Sequence, residues 1–178
     1  LARLNLDGTT DTDFVLSTEL AQLDFYDVKL GLGDKIVLKS NNGLNDTRGI
    51  HIINSDGSLD TEFTIDAAII RNIENAIAFD DGYIAIGYIQ GLSSAQLFKL
   101  NADGSINEAF GTHKLTGGLN NYLSNIGDSE LLLVSSFTDY DETAITGIIK
   151  VNSDGSLNSD FNVPLSDNSQ NGNIQSIT

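Results

Sequence analysis

One phrase recurs four times along this chain, and it constrains the fold more than any other feature. It runs from Leu1 to Phe14, from Ile50 to Phe63, from Leu97 to Phe110 and from Ile148 to Phe161. The shared asparagine falls at Asn5, Asn54, Asn101 and Asn152, so the steps between copies are 49, 47 and 51 residues. Each copy continues as Asn-x-Asp-Gly and ends nine residues later on Phe14, Phe63, Phe110 or Phe161. A period of about fifty residues signals a repeat architecture, in which each unit buries its apolar face against the next. A unit used four times also reads first as scaffold and only then as chemistry.

Between copies lie two further apolar runs per unit. They are Leu23–Leu30 with Lys35–Lys39, Ile73–Phe79 with Tyr83–Ile89, and Tyr122–Ile126 with Glu130–Phe137. Their length and their β-branched and aromatic content favour strands over helices. Gly31–Asp34, Asp80–Gly82 and Gly127–Ser129 split the pairs, and Asp-Gly or Gly-Asp between apolar runs marks a hairpin. The middle runs Ile36–Leu38, Ile84–Ile86 and Leu131–Val134 are apolar on both faces, which an antiparallel strand needs only between two packed sheets. A fourth, weaker strand is expected after each phenylalanine, at Val15–Ser17, Thr64–Ala67 and Asn162–Leu165. Four short antiparallel strands in about fifty residues match one propeller blade.

The Asn-x-Asp-Gly segment reads as a tight turn, with side-chain bonding from Asn or Asp and a left-handed glycine. The phenylalanine at a fixed phase reads as a ring packed between neighbouring units.

The copies resemble the delta-60 repeat, a bacterial family assigned to β-propellers, whose phrase is Leu-x-Arg-Leu-Asn-x-Asp-Gly-Ser-x-Asp-x-x-Phe. Leu1 to Phe14 fits best, with Thr9 in place of serine. Ile52 departs at the basic position, and Asn107 and Asn158 stand at the second acidic place. Asp81–Gly87 is similar to the family's Asp-Gly-Lys-Ile-Leu-Val-Gly-Gly. The resemblance implies large secreted or surface-exposed bacterial proteins. It brings no activity and no catalytic residues.

Composition narrows the partners. Twenty-five acidic residues against nine basic ones give a formal charge of −16, which repels nucleic acid and anionic membrane surfaces. No cysteine is present, so a disulfide framework and a cysteine zinc site are excluded. No apolar run approaches a membrane span, and no signal-peptide pattern opens the chain. The absence of methionine fits a mature protein or a piece of a longer one.

Several constellations invite a chemical reading. Asn5/Asp7/Asp11, Asn54/Asp56/Ser58/Asp60, Asn101/Asp103/Asn107 and Asn152/Asp154/Asn158 present alternating oxygens around a glycine, as calcium loops do. No copy continues to a well-placed bidentate glutamate, and the same residues serve a metal-free turn, so the turn reading takes precedence. His51 and His113 sit at different phases with no partner for a transition metal. His51 with a serine and an aspartate suggests a triad, but no Gly-x-Ser-x-Gly elbow is present. Asp80/Asp81 and Asp139/Asp141 are carboxylate pairs in loops. The loops Ser40–Thr47, Gln90–Ala95 and Thr138–Thr143 share one place in each unit and vary in sequence, which suits binding. Tyr88 and Tyr140 lie in or beside them and are candidates to stack on a sugar; strand-end packing is the plainer role.

The sequence therefore predicts an all-β chain, with residues 1–178 forming a single propeller segment of about three and a half blades within a larger propeller. The expected role is a non-catalytic structural or binding module of a secreted or cell-surface bacterial protein, acting through its variable loops on a protein or carbohydrate. The alternatives are a lyase or glycosidase with carboxylates at the propeller centre, and a calcium-stabilised adhesin stalk. No catalytic, cofactor-binding or metal-ligating residue is assigned, and no cofactor. The segment is not expected to close on itself. Gly172–Thr178 matches a first strand and Leu1–Asn5 a third, and no second strand lies between them. The open edges would continue into flanking sequence or a partner chain.

Overall fold

A computed structural model of the chain describes residues 1–41, 49–117, 122–127, 130–145 and 147–161. It is all-β with antiparallel pairing, and its single helical turn among these residues is a 3-10 turn at Leu20–Gln22. The first sheet orders β1 (Phe25–Leu30), β2 (Ile36–Ser40) and β3 (Ile50–Ile53). The second begins with β4 (Ile70–Phe79), β5 (Gly82–Ile89), β6 (Ala95–Asn101) and β7 (Thr112–Gly117). The third contains β8 (Tyr122–Asn125), β9 (Leu131–Ser135) and β12 (Gly147–Val151), with β9 in the middle.

The remaining strands, β10 (Phe137–Tyr140) and β11 (Thr143–Ala144), leave their own unit. They cross back and extend the second sheet, β10 pairing with β7 and β11 with β10. That sheet thereby reaches six strands.

The repeated phrase folds the same way four times. Isolated bridges join Leu4 to Thr10, Ile53 to Leu59, Leu100 to Ile106 and Val151 to Leu157. Inside each, the glycine amide donates to the asparagine carbonyl at 2.9–3.0 Å, and the glycine φ lies between 83° and 92°. A left-handed backbone favours glycine there. The aspartate closes the turn: Asp56 Oδ1 accepts from the Ser58 amide at 2.9 Å and from its hydroxyl at 2.6 Å. Asp7, Asp103 and Asp154 repeat these two bonds.

The second and third turns lean on the preceding unit. The amides of Val15 and Thr64 donate to the carbonyls of Asp56 and Asp103, both at 2.8 Å. A methyl group on Gly104 would lie 2.3 Å from the Thr64 carbonyl oxygen. This contact replaces the fourth strand expected at Val15–Ser17 and Thr64–Ala67, which form no ladder. Their amides instead bind a neighbouring turn, and no extended partner lies alongside. In the second unit a fourth strand does form, as β7. The segments Asn162–Leu165 and Gly172–Thr178 lie outside the described residues.

Packing between sheets is apolar. Val37, Ile50 and Ile52 of the first sheet meet Ala76, Tyr83, Ala85 and Phe98 of the second around Phe63. Ile77, Ile84, Ile86 and Leu97 meet Leu123, Leu131 and Leu133 of the third around Phe110. The middle strand β5 is buried from Gly82 to Gly87, as expected for a strand covered on both faces. Phe14, Phe63 and Phe110 are buried, and Phe161 is half-buried.

Candidate functional site

The first strands of the three units, β1, β4 and β8, line one cleft of about 790 Å³. Register explains why a cleft opens there. Residues four before the shared asparagine pair with Lys39 in the first unit, Ile86 in the second and Val134 in the third. Ile86 is buried in the packing between sheets, and Val134 is buried as well. In the first unit the same place holds a half-buried lysine. On the neighbouring strand, Lys29 stands where the second unit has the buried Ile77. Two lysines thus replace two isoleucines at the edge of the apolar contact. Filling that space with aliphatic carbon would stabilise by about 1.5–3 kcal/mol per side chain, and the fold forgoes it here. Local rules broken without an evident packing gain are expected where a chain does chemistry or binding.

The rest of the lining is mostly polar, with two aromatic rings and the aliphatic Ile73 and Leu123. Tyr26 and Asp27 come from β1, Asn72, Glu74 and Asn75 from β4, and Tyr122 and Ser124 from β8. Lys29 donates to Asn75 Oδ1 and stands 3.4 Å from Asp27 Oδ2. Lys39 Nζ lies 5.1 Å from the centre of the Tyr26 ring. Burial pushes both lysines below their ordinary value, partly offset by Asp27 and, for Lys39, by Glu74. Burial, with Asp27 and Glu74 nearby, pushes the Tyr26 phenol up. Charges of both signs, amides, a hydroxyl and two phenol rings thus surround one open space and offer hydrogen-bonding and ring-stacking groups to it.

The residues singled out in the sequence lie elsewhere. His51 is fully buried; its Nε2 is 2.8 Å from Ser40 Oγ, and Phe25 meets its ring edge-on. Ser40 is 2% exposed at the cleft wall and His51 lies fully buried behind it, so the imidazole of this pair does not reach solvent. His113 Nδ1 lies 2.6 Å from Asp141 Oδ2 and Nε2 lies 3.0 Å from the Phe110 carbonyl oxygen. Its ring stacks on Tyr140. Tyr140 is 1% exposed and donates to the Gly155 carbonyl at 2.6 Å, which rules out the sugar-stacking role in this conformation. It takes the inter-unit contact that Val15 and Thr64 make by their amides. Burial pushes its phenol far up. Tyr88 is half-buried beneath the Arg71 guanidinium, 4.8 Å from its ring centre.

The carboxylate pairs do not converge. Asp80 and Asp81 sit at the β4–β5 turn, where Asp81 Oδ1 accepts from Lys99 Nζ at 2.7 Å. Asp139 and Asp141 belong to the β10 hairpin, and Asp141 Oδ1 accepts from the Lys114 amide at 2.7 Å. The Asn-x-Asp-Gly oxygens are engaged in their own turns. Among the described residues no group of three or more His, Cys, Asp or Glu could hold a metal ion. Of the three variable loops, Gln90–Ala95 is exposed over residues 90–93 and enters β6 at the buried Ala95, and Thr138–Thr143 is the returning hairpin. Most of Ser40–Thr47 lies outside the described residues; its first two positions border the cleft.

Comparison of the chain with protein-family models, with curated proteins and with solved structures found no match. Among the described residues no helix is long and apolar enough to cross a membrane.

Proposed function

We propose that the chain is a non-catalytic binding module of a secreted or cell-surface bacterial protein, built as part of a β-propeller, and that the cleft between β1, β4 and β8 takes a saccharide. One observation carries this: the register that holds Ile86 and Val134 in the other units holds Lys39 here, and the opened space is lined by amides and two tyrosines. Sugars bind through such sets, with rings against their C–H faces and amides and charges on their hydroxyls. The propeller assignment is supported by consecutive antiparallel sheets joined face to face through equivalent turns. The surface location rests on the delta-60 resemblance. A hydrolytic reading is disfavoured because the acidic pairs lie apart and Asp27 already faces Lys29.

Affinity electrophoresis tests the proposal. The full chain is run through native gels containing a neutral glucan, a pectin or an alginate. Retardation in at least one gel, lost in Tyr122→Ala, is the expected result. Unchanged mobility in all three, or equal retardation of the variant, refutes it.

A further inference from the structure

Four of the six lysines stand beside carboxylates; of the other two, Lys114 is exposed and Lys39 is half-buried. Lys29, Lys35, Lys99 and Lys150 each have an acidic oxygen within 2.5–3.4 Å. Lys39 has none within ion-pair distance among the described residues, and its close companion is the face of Tyr26. Acidic side chains are not scarce, since the chain carries 25 of them against nine basic ones. The ammonium is partly stripped of water, borders an open cleft, and occupies a place that the other units fill with Ile86 and Val134. Partial burial raises the worth of any charge-assisted hydrogen bond it can form.

We propose that Lys39 receives the carboxylate of an acidic saccharide, so that the ligand is a glycan presenting one uronate among neutral hydroxyls. This rests on the reading of the cleft as a saccharide site. Lys29 is already engaged by Asp27 and Asn75 and leaves a single receptor. Asp27 and Glu74 share the cleft, and together with the −16 surface they disfavour a ligand carrying several negative charges. A lone carboxylate reaches Lys39 past them, while Asn72 and Ser124 remain for sugar hydroxyls.

Calorimetric titration of the full chain with two disaccharides tests this. One is an aldobiouronic acid, a hexuronate joined to a neutral hexose; the other is the same disaccharide reduced to the neutral sugar at its carboxyl. The acidic sugar should bind at least about tenfold more tightly, as one charge-assisted bond implies. Raising sodium chloride from about 0.05 M to about 0.5 M should shrink that margin. Lys39→Met should erase it without lowering the melting temperature, because methionine can fill the space that isoleucine and valine fill in the other units. Lys114→Gln, an equal change of charge on an exposed strand, should leave binding as it was. Equal affinity for both sugars, or a preference surviving in Lys39→Met, overturns the carboxylate assignment and leaves the saccharide reading standing. Absence of heat with both sugars also overturns the assignment; the saccharide reading is then decided by the Tyr122 gels alone.

Discussion

Removing the Phe63 ring is the sharpest test of how the units are held together. Phe63 is 3% exposed and shares one buried cluster with Val37, Ile50 and Ile52 of the first sheet and Ala85 and Phe98 of the second. It also meets Tyr83 edge-to-face, with ring centres 5.5 Å apart and planes at 79°. Truncating a fully buried phenylalanine to alanine costs about 3–5 kcal/mol, from lost transfer energy and the cavity left behind. The aromatic pair accounts for about 0.5–1.5 kcal/mol of that. Phe161 holds the same phase in the last copy but is only half-buried, so Phe161→Ala should cost less than half as much. Domains of this size are commonly stable by about 5–15 kcal/mol, so Phe63→Ala should remain measurable though weakened. Urea unfolding followed by tyrosine fluorescence gives both numbers, with Phe63→Leu as the milder companion. A loss below about 1 kcal/mol, or equal losses at the two positions, would show that the ring does not bridge the sheets.

Two further outcomes follow from the turns. Gly104→Ala should destabilise clearly more than Gly8→Ala, because a methyl at 104 meets the Thr64 carbonyl at 2.3 Å while one at Gly8 meets nothing within 4 Å; equal melting temperatures would remove the inter-turn contact from the account. Hydrogen bonds from Thr9, Ser58, Ser105 and Ser156 hold the carboxyls of Asp7, Asp56, Asp103 and Asp154 below the ordinary value of 3.8. A lowered folded value means that stability is present above the unfolded one and is lost as pH falls through the folded one. Thermal melts between about pH 5 and about pH 2 should therefore show a loss that is smaller in Asp56→Asn/Asp103→Asn, and an unchanged slope in the variant would contradict it.

Much of the scaffold was legible because it is written in repeated local signals. Asn, Asp and Gly specify their turn through bonds spanning two to four residues, and four copies in phase leave no doubt about equivalence. The first three strands of each unit were legible for the same reason; the fourth strands expected at Val15–Ser17 and Thr64–Ala67 do not form, and Phe137 opens β10 instead of ending a run. The functional features were not local. Lys39 closes an apolar run and looks like an ordinary exposed end; its position opposite Ile50 is what aligns it with Ile86 and Val134. Aligning the central strands by their distance from the shared asparagine, and not by apolar content, would have exposed the lysine. Strand-end packing, the plainer role for Tyr140, holds: the residue ends β10 and is buried. Its burial depends on a hairpin that returns to the previous sheet, a contact with no signature in the residues themselves.

That returning hairpin has a consequence for how the array is divided. Stacked repeats are commonly treated as interchangeable parts, with stability given by each part plus one boundary term per neighbour. Here the boundaries are unequal. The stretch between β9 and β12 belongs to the third unit by sequence, yet it supplies the second sheet with its last two strands. Cutting the gene at the phrase boundaries would strip one sheet of its rim while nominally deleting another. The second and third repeats are in this sense a single piece, joined by strand pairing as well as by side chains.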